Sequence, residues 1–143
     1  KNSLNYSLKM KQKFSTKWKA SKQPRKKRKY IANAPLHIKG KFLSTNLSKE
    51  LREKHKKRNL RIRKGDKVKI LRGNFKKHMG KVEKVFTKIT KVFVEGAEII
   101  KKDGSKTFYP IHPSNLMITE LNMEDKKRQK SIKKNDQITL KKD

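Results

Sequence analysis

The chain carries no carboxylate before Glu50, although residues 1–49 contain 15 Lys and Arg side chains. A compact fold with so much uncompensated charge would repel itself strongly. A polyanion relieves the repulsion, because each phosphate neutralised by Lys or Arg releases condensed counterions. The charge distribution therefore predicts a protein that binds nucleic acid.

The remaining charge is more balanced, with 14 basic and 6 acidic side chains in residues 62–121. This pattern is typical of a folded module with basic extensions, and 143 residues suit one small domain with arms. We expect four segments: a basic extended N-terminal arm (1–43), a short helix and linker (44–61), a barrel (62–121) and a basic C-terminal helix or tail (122–143).

The N-terminal arm shows no sustained helical or strand period, and Pro24 interrupts the basic run Lys22–Lys29. Its apolar area is too small to offset the entropy of ordering, so we expect it to be disordered alone and extended along RNA when bound. Three aromatic side chains are interleaved with its lysines: Phe14, Trp18 and Tyr30. They can stack on unpaired bases or pack back on the domain, and the sequence leaves both alternatives open.

Two helices are predicted outside the barrel. The first covers residues 45–57, where Thr45 or Ser48 can cap its N-terminus. The second begins at Asn122, which can cap a short C-terminal helix.

Residues 62–119 contain short β-rich runs that begin near residues 67, 81, 91 and 116. A hairpin turn is indicated at Asp103-Gly104, because this pair suits a tight turn with positive φ. Five short strands with glycine-bearing turns predict a small β-barrel, with Val82, Val85, Val92 and Val94 facing inward.

The run from Ile62 to Phe86 predicts a strand, a glycine-flanked loop and a second strand. Gly65 and Asp66 make the opening turn, in which Asp66 can accept bonds from nearby backbone N–H groups. Gly73 permits positive φ, and Gly80 permits either a left-handed residue or a close backbone approach. The loop between these glycines presents three basic side chains to a partner: Lys76, Lys77 and His78.

This stretch resembles the KOW motif of ribosomal proteins and transcription-elongation factors. The matching residues are Gly65, Asp66, Val68, Ile70, Gly73, Lys76, Gly80, Val82 and Val85. One position departs from the motif, because Lys77 stands where a Gly is usual. The flanking stretches resemble the archaeal and eukaryotic branch of large-subunit ribosomal protein family twenty-four (called twenty-six in eukaryotes): Ser21–Tyr30, Asn33–Ile38, Leu47–Arg52 and Phe108–Asn115.

The resemblance implies an SH3-like five-stranded barrel that is a structural constituent of the large ribosomal subunit in the cytoplasm. It implies binding to the 5′ part of the large-subunit rRNA near the peptide exit tunnel, contact with neighbouring large-subunit proteins, and a role in assembly. No cofactor, membrane or small-molecule substrate is implied.

The candidate rRNA-binding residues are Lys22, Arg25, Lys26, Lys27, Arg28, Lys29, His37, Lys39, Arg63, Lys64, Arg72, Asn74, Phe75, Lys76, Lys77, His78, His112, Ser114 and Asn115. The candidate turn glycines are Gly65, Gly73, Gly80 and Gly104. Lys outnumbers Arg by 35 to 8, which favours recognition of phosphate and shape over base sequence.

Other classes fit the sequence less well. The four His residues have no metal-ligand spacing, and His112-Pro113-Ser114 is typical of a turn, so we expect no enzyme activity. A KOW transcription-elongation factor would be expected to bring a second, polymerase-binding domain. A Lys-rich DNA compactor would leave the matched flanks unexplained.

Overall fold

The computed structural model describes residues 14–132. The described residues divide into two compact units, of which the first ends at Pro35 and the second begins at Leu36. Within the described range, no helix is both long enough and apolar enough to cross a membrane.

The first unit contains a helix where the sequence predicts an extended arm. Helix α1 spans Pro24–Asn33 and buries Tyr30. Pro24 lies in the first turn of this helix, where its missing N–H has no helical partner to lose. The basic run therefore continues past the proline as a helix instead of being interrupted by it.

The second unit begins with helix α2 and continues as a mostly β structure. Its elements are α2 (Leu36–Phe42), β1 (Ser44–Leu47), α3 (Lys49–His55), β2 (Asn59–Arg61), β3 (Lys67–Ile70), β4 (Met79–Phe86), β5 (Lys91–Val94), β6 (Glu98–Ile100), β7 (Lys106–Phe108), a 3-10 turn (Pro113–Asn115), β8 (Leu116–Glu120) and α4 (126–132). Helix α2 is a second departure from the expected extended arm.

The strands form a small SH3-like barrel, as predicted. Six strands are hydrogen-bonded in the order β2-β1-β8-β3-β4-β5, and β6 pairs with β7 in a separate hairpin. Gly104 takes φ 80° in the hairpin turn, as the Asp-Gly pair indicates. Strand β8 pairs with β3 in antiparallel and with β1 in parallel orientation, so it links the β1–β2 pair to strands β3–β5.

Strand β1 replaces the first part of the helix predicted over residues 45–57. Thr45 is buried in β1, and the helix begins only after Ser48, whose Oγ accepts a hydrogen bond from the Leu51 N–H at 3.4 Å. The strand forms because Asn46 and Leu47 pair with β8, far along the chain. A local pattern cannot show such a pairing, so the sequence predicts too few strands.

The core is built from aliphatic side chains of both halves of the barrel. Twelve buried residues form it: Leu43, Leu47, Ile62, Val68, Ile70, Val82, Val92, Val94, Ala97, Ile111, Leu116 and Ile118. Three of the four valines predicted to face inward are buried, and Val85 is partly buried against the same cluster. The period-two pattern of the strands thus predicts most of the inner face.

The carboxylate of Asp66 fastens α4 to the barrel. Asp66 is fully buried, and its oxygens Oδ1 and Oδ2 lie 2.6 and 2.9 Å from the two terminal nitrogens of Arg128 on α4. The backbone N–H groups of Arg63 and Asn122 donate to the same carboxylate, each at 2.9 Å. The bond from Arg63 confirms the local turn expected at Asp66, whereas the other donors come from beyond β8.

Helix α4 is capped by Asp125, not by Asn122 as the sequence predicts. The Oδ1 of Asp125 accepts the backbone N–H of Lys127 at 2.7 Å. The side chain of Asn122 instead accepts the N–H of Glu124 at 2.9 Å, which makes a turn before the helix. Asn122 is held there because its own N–H donates to Asp66.

Replacing Arg128 with Met should lower the free energy of unfolding by about 3–5 kcal/mol, because the substitution leaves a buried carboxylate without its counter-charge. Urea denaturation monitored by circular dichroism measures the change. Lys130→Met is the matched control, since Lys130 is exposed on the same helix. Equal losses for the two variants would show that the pair does not anchor α4.

Candidate nucleic-acid interface

The β3–β4 loop, residues 71–78, is closed by its own backbone. The N–H of Lys77 donates to the carbonyl oxygen of Ile70 at 2.9 Å, and the N–H of Ile70 donates to the carbonyl oxygen of His78 at 2.9 Å. The two bonds link the end of β3 to the start of β4. The loop therefore has a defined, hydrogen-bonded backbone conformation.

Lys77 adopts φ 73°, in the left-handed region, at the position where the KOW motif usually has Gly. A residue with a Cβ pays about 1–2 kcal/mol for this conformation. The departure from the motif therefore keeps the turn geometry and adds an exposed positive charge beside exposed Lys76.

Phe75 points the other way from the lysines. Its ring packs against the hydrophobic core and lies 5.5 Å from the ring of Tyr109, centroid to centroid. This packing of Phe75 holds the loop against the barrel core. A contact between Phe75 and RNA stays a prediction.

His78 joins the loop to the end of β5. Its Nε2 donates to the carbonyl oxygen of Glu95 at 2.8 Å. The ring also covers the backbone of Gly96, where an added Cβ would lie 2.7 Å from it. His78, which the sequence predicts to contact RNA, therefore also has a structural contact within the protein.

The two glycines that flank the loop serve different purposes. Gly73 has φ 90° and open space around it, so it is needed for its backbone conformation. Gly80 has no positive φ, but a Cβ there would lie 2.5 Å from the carbonyl oxygen of Glu95. Of the two roles the sequence left open for Gly80, the structure selects close backbone approach.

The turn at His112 lies directly beside the β3–β4 loop. The N–H of Leu71 donates to the carbonyl oxygen of Asn115 at 2.7 Å. Between the two segments is a cleft of about 110 Å³, called here the loop cleft. It brings together six residues singled out from the sequence: Arg72, Gly73, Asn74, Phe75, His112 and Asn115.

Of the other residues that line the loop cleft, Lys91 and Tyr109 are not among the candidate rRNA-binding residues. Lys91 at the start of β5 adds a positive charge, and Tyr109 adds an aromatic ring. Tyr109 lies within the matched stretch Phe108–Asn115, so its neighbourhood carried a signal. Lys91 carried none, because only the barrel fold brings β5 to this cleft.

His112 caps the 3-10 turn. Its Nδ1 accepts the backbone N–H of Ser114 at 3.3 Å and lies 2.8 Å from the Oγ of the same residue. Partial burial, and secondly the charge of Lys91, hold the pKa of His112 below its ordinary value of 6.5. The turn chemistry expected from the sequence is confirmed, and it sits at the rim of a cationic cleft.

Arg63 and Lys64 lie away from the loop cleft, in a broad groove of about 810 Å³ that also includes Lys84 and Arg128. Arg63 forms an ion pair with Asp125, so part of its charge is already compensated. This groove is a less favourable place for phosphate than the loop.

The remaining candidates are distributed over both units. Lys22 and the basic residues 25–29 belong to the first unit, where Lys26 is partly buried and the others are exposed. His37 and Lys39 lie on α2, and the Nζ of Lys39 donates to the carbonyl oxygen of Lys88 at 3.2 Å.

The last three candidates lie in turns. Gly65, at φ 89°, makes the opening turn of the motif, and Gly104 lies in the hairpin turn. Ser114 is exposed beside His112.

Substitutions at the two loop glycines should rank in opposite orders. At Gly80 the cost should rise with side-chain size: about 1–3 kcal/mol for Ala, and more for Asn, because the side chain meets backbone. At Gly73, Asn should cost less than Ala, because Asn tolerates the left-handed region. Thermal or urea unfolding of the four variants gives the ranking. The same order at both sites would contradict these roles.

The free protein should show His112 titrating below 6.5 in an NMR pH series. Because the folded state favours the neutral ring, the stabilisation from this residue is complete above pH 6.5 and is lost as pH falls through the lowered pKa. The difference in unfolding free energy between the wild type and His112→Gln should therefore shrink on acidification. A difference that grows at lower pH would refute this assignment.

Residues 21–135, the greater part of the chain, match the family described as Ribosomal proteins L26 eukaryotic, L24P archaeal. The match includes the KOW loop, the loop cleft and helix α1. The chain therefore belongs to this family of ribosomal proteins, which are structural, non-enzymatic components of the large ribosomal subunit.

Proposed function

We propose that this protein binds large-subunit rRNA by contacting its phosphate backbone and shape, with the β3–β4 loop as a principal contact. The observation that carries the proposal is the arrangement of this loop. Its backbone is fixed by hydrogen bonds, while Lys76 and Lys77 remain exposed. A preformed loop loses little conformational entropy on binding.

The chemistry of these side chains favours phosphate over bases. A Lys ammonium acts as a flexible point charge, whereas base reading usually relies on the planar fork of Arg. Arg72, His112 and Lys91 place further cationic or titratable groups around the adjoining cleft. A phosphate near His112 would raise the pKa that burial and, secondly, Lys91 lower, so RNA binding and protonation of this ring would be coupled.

The family supports a more specific placement, which we include in the proposal. The protein would bind the 5′ part of the large-subunit rRNA near the peptide exit tunnel, beside other large-subunit proteins, and support assembly of cytoplasmic ribosomes. The first unit would add a contact of its own, since residues 14–35 include no Asp or Glu to compete for its lysines.

The double variant Lys76→Ala/Lys77→Ala should bind a 5′ fragment of large-subunit rRNA more weakly and with a shallower salt dependence. The slope of log affinity against log salt should fall by about one unit for each phosphate that the variant no longer neutralises. Folding should be unchanged, because Ala and Lys both carry a Cβ in the left-handed position. Filter binding at several salt concentrations between roughly 50 and 200 mM measures both the affinity and the slope.

The matched control is Lys101→Ala/Lys102→Ala. It removes the same charge from two exposed lysines in the β6–β7 hairpin, outside the candidate residues. Equal reductions in affinity for both double variants would mean that only net charge matters, and would exclude a specific role for the loop. Circular dichroism establishes that both variants keep the fold.

A further inference from the structure

A second concave site lies wholly within the first unit. Aromatic side chains line much of a cavity of about 190 Å³: Phe14, Trp18 and Tyr30. Polar and basic groups complete the lining: Ser15, Lys17, Lys29 and Asn33. The candidate phosphate contacts described above do not account for this combination of rings and ammonium groups.

The rings differ in how accessible they are. Phe14 and Tyr30 pack on each other with ring centroids 5.1 Å apart, and Tyr30 is only 8% exposed. Trp18 leaves 37% of its surface to solvent. A turn presents it, because the carbonyl oxygen of Trp18 accepts the N–H of Ser21 at 3.2 Å. One large ring is thus held at the mouth of a cavity whose other rings are packed.

Within the described part of the first unit, no acidic side chain accompanies the ammonium groups around Trp18. The Nζ atoms of Lys26 and Lys29 lie 5.8 and 5.5 Å from the centre of the Trp18 ring. Residues 14–35 contain no carboxylate that could pair with them. A cation–π contact at an exposed site is weak, so a phosphate can draw a flexible lysine away from the ring.

We propose that this cavity binds one unpaired base of RNA, stacked on Trp18, while Lys29 contacts the adjoining phosphate. A base offers a flat π face to the indole whatever its identity, and its phosphate supplies the anion that the lysines lack. The volume favours a single ring system, since sites for whole drug-sized ligands occupy roughly 300–1,000 Å³. Flat stacking surfaces also favour a base over an acidic peptide.

The inference rests on the proposed RNA binding and specifies what the first unit adds to it. The β3–β4 loop would contact phosphates whatever the base sequence of the RNA. The cavity would require a base that is free of pairing, and so would select single-stranded segments or loops of the RNA.

The test uses the full-length protein, in which Trp18 is the single Trp and reports on the site directly. Oligoadenylate and an abasic oligomer with the same number of phosphates are titrated at equal salt. We expect the base-bearing oligomer to quench Trp18 fluorescence and the abasic oligomer to leave it unchanged. In anisotropy with labelled oligomers, Trp18→Ala should weaken only the base-bearing one, by roughly 5- to 150-fold.

Two variants serve as controls. Trp18→Phe keeps an aromatic face and should retain most of the affinity for oligoadenylate. Lys29→Gln should weaken both oligomers by the same factor, because it removes a phosphate contact and not the stacking surface. Circular dichroism of each variant establishes that the barrel is intact.

The base site is overturned if the two oligomers quench Trp18 and bind equally, or if oligoadenylate does not bind. It is also overturned if Trp18→Ala binds oligoadenylate with unchanged affinity. Binding of the rRNA fragment is measured with the same samples. If the wild type binds that fragment while discrimination between the oligomers is absent, only the base site fails. If the wild type does not bind the fragment, the proposed rRNA binding fails with it.

Discussion

The buried carboxylate of Asp66 accepts hydrogen bonds from three separate parts of the second unit. Arg63 donates from just before it, Asn122 from just after β8, and Arg128 from α4. A buried charge deprived of one of these partners would be strongly destabilising, so the donors must be in place together. Asp66 immediately precedes β3, the strand from which the β3–β4 loop emerges. The position of the loop therefore depends on a pair whose other half is supplied by the C-terminal helix.

The loop separates the residues that hold its shape from those that carry its charge. Phe75 packs inward, His78 bonds the end of β5, and Gly80 allows two backbones to approach closely. Lys76 and Lys77 take no part in those contacts through their side chains and remain exposed. Charge at this surface can therefore be altered without disturbing the barrel, whereas a change in the supporting residues alters both. A rigid loop that carries flexible lysine side chains suits a nucleic acid that is recognised through its phosphate backbone.

Local signals in the sequence predict much of this structure, and non-local pairings account for most of what they miss. Alternating runs and glycine-bearing turns identify the later strands, the hairpin and the loop. Strand β1 is missed because its partner β8 is distant in sequence, and β2 is missed with it because β2 pairs with β1. Helix α1 is missed because Pro24 in a first turn looks like a break. The cleft is predicted in part, since its loop and its His112 turn each carry a signal. Nothing in the sequence places Lys91 beside His112 or Arg128 beside Asp66, because only the closed barrel brings them together.

The parallel pairing of β1 with β8 has a consequence for the order in which the molecule forms. Leu47 pairs with Ile118, so the barrel cannot close until residue 118 has been synthesised. At usual rates of translation, the basic first unit precedes that moment by on the order of 10 s. During this interval the strands made so far have unpaired edges, while the basic residues of the first unit are already accessible to a polyanion. If the first unit binds RNA as proposed, that contact can begin on a nascent chain whose barrel is still open.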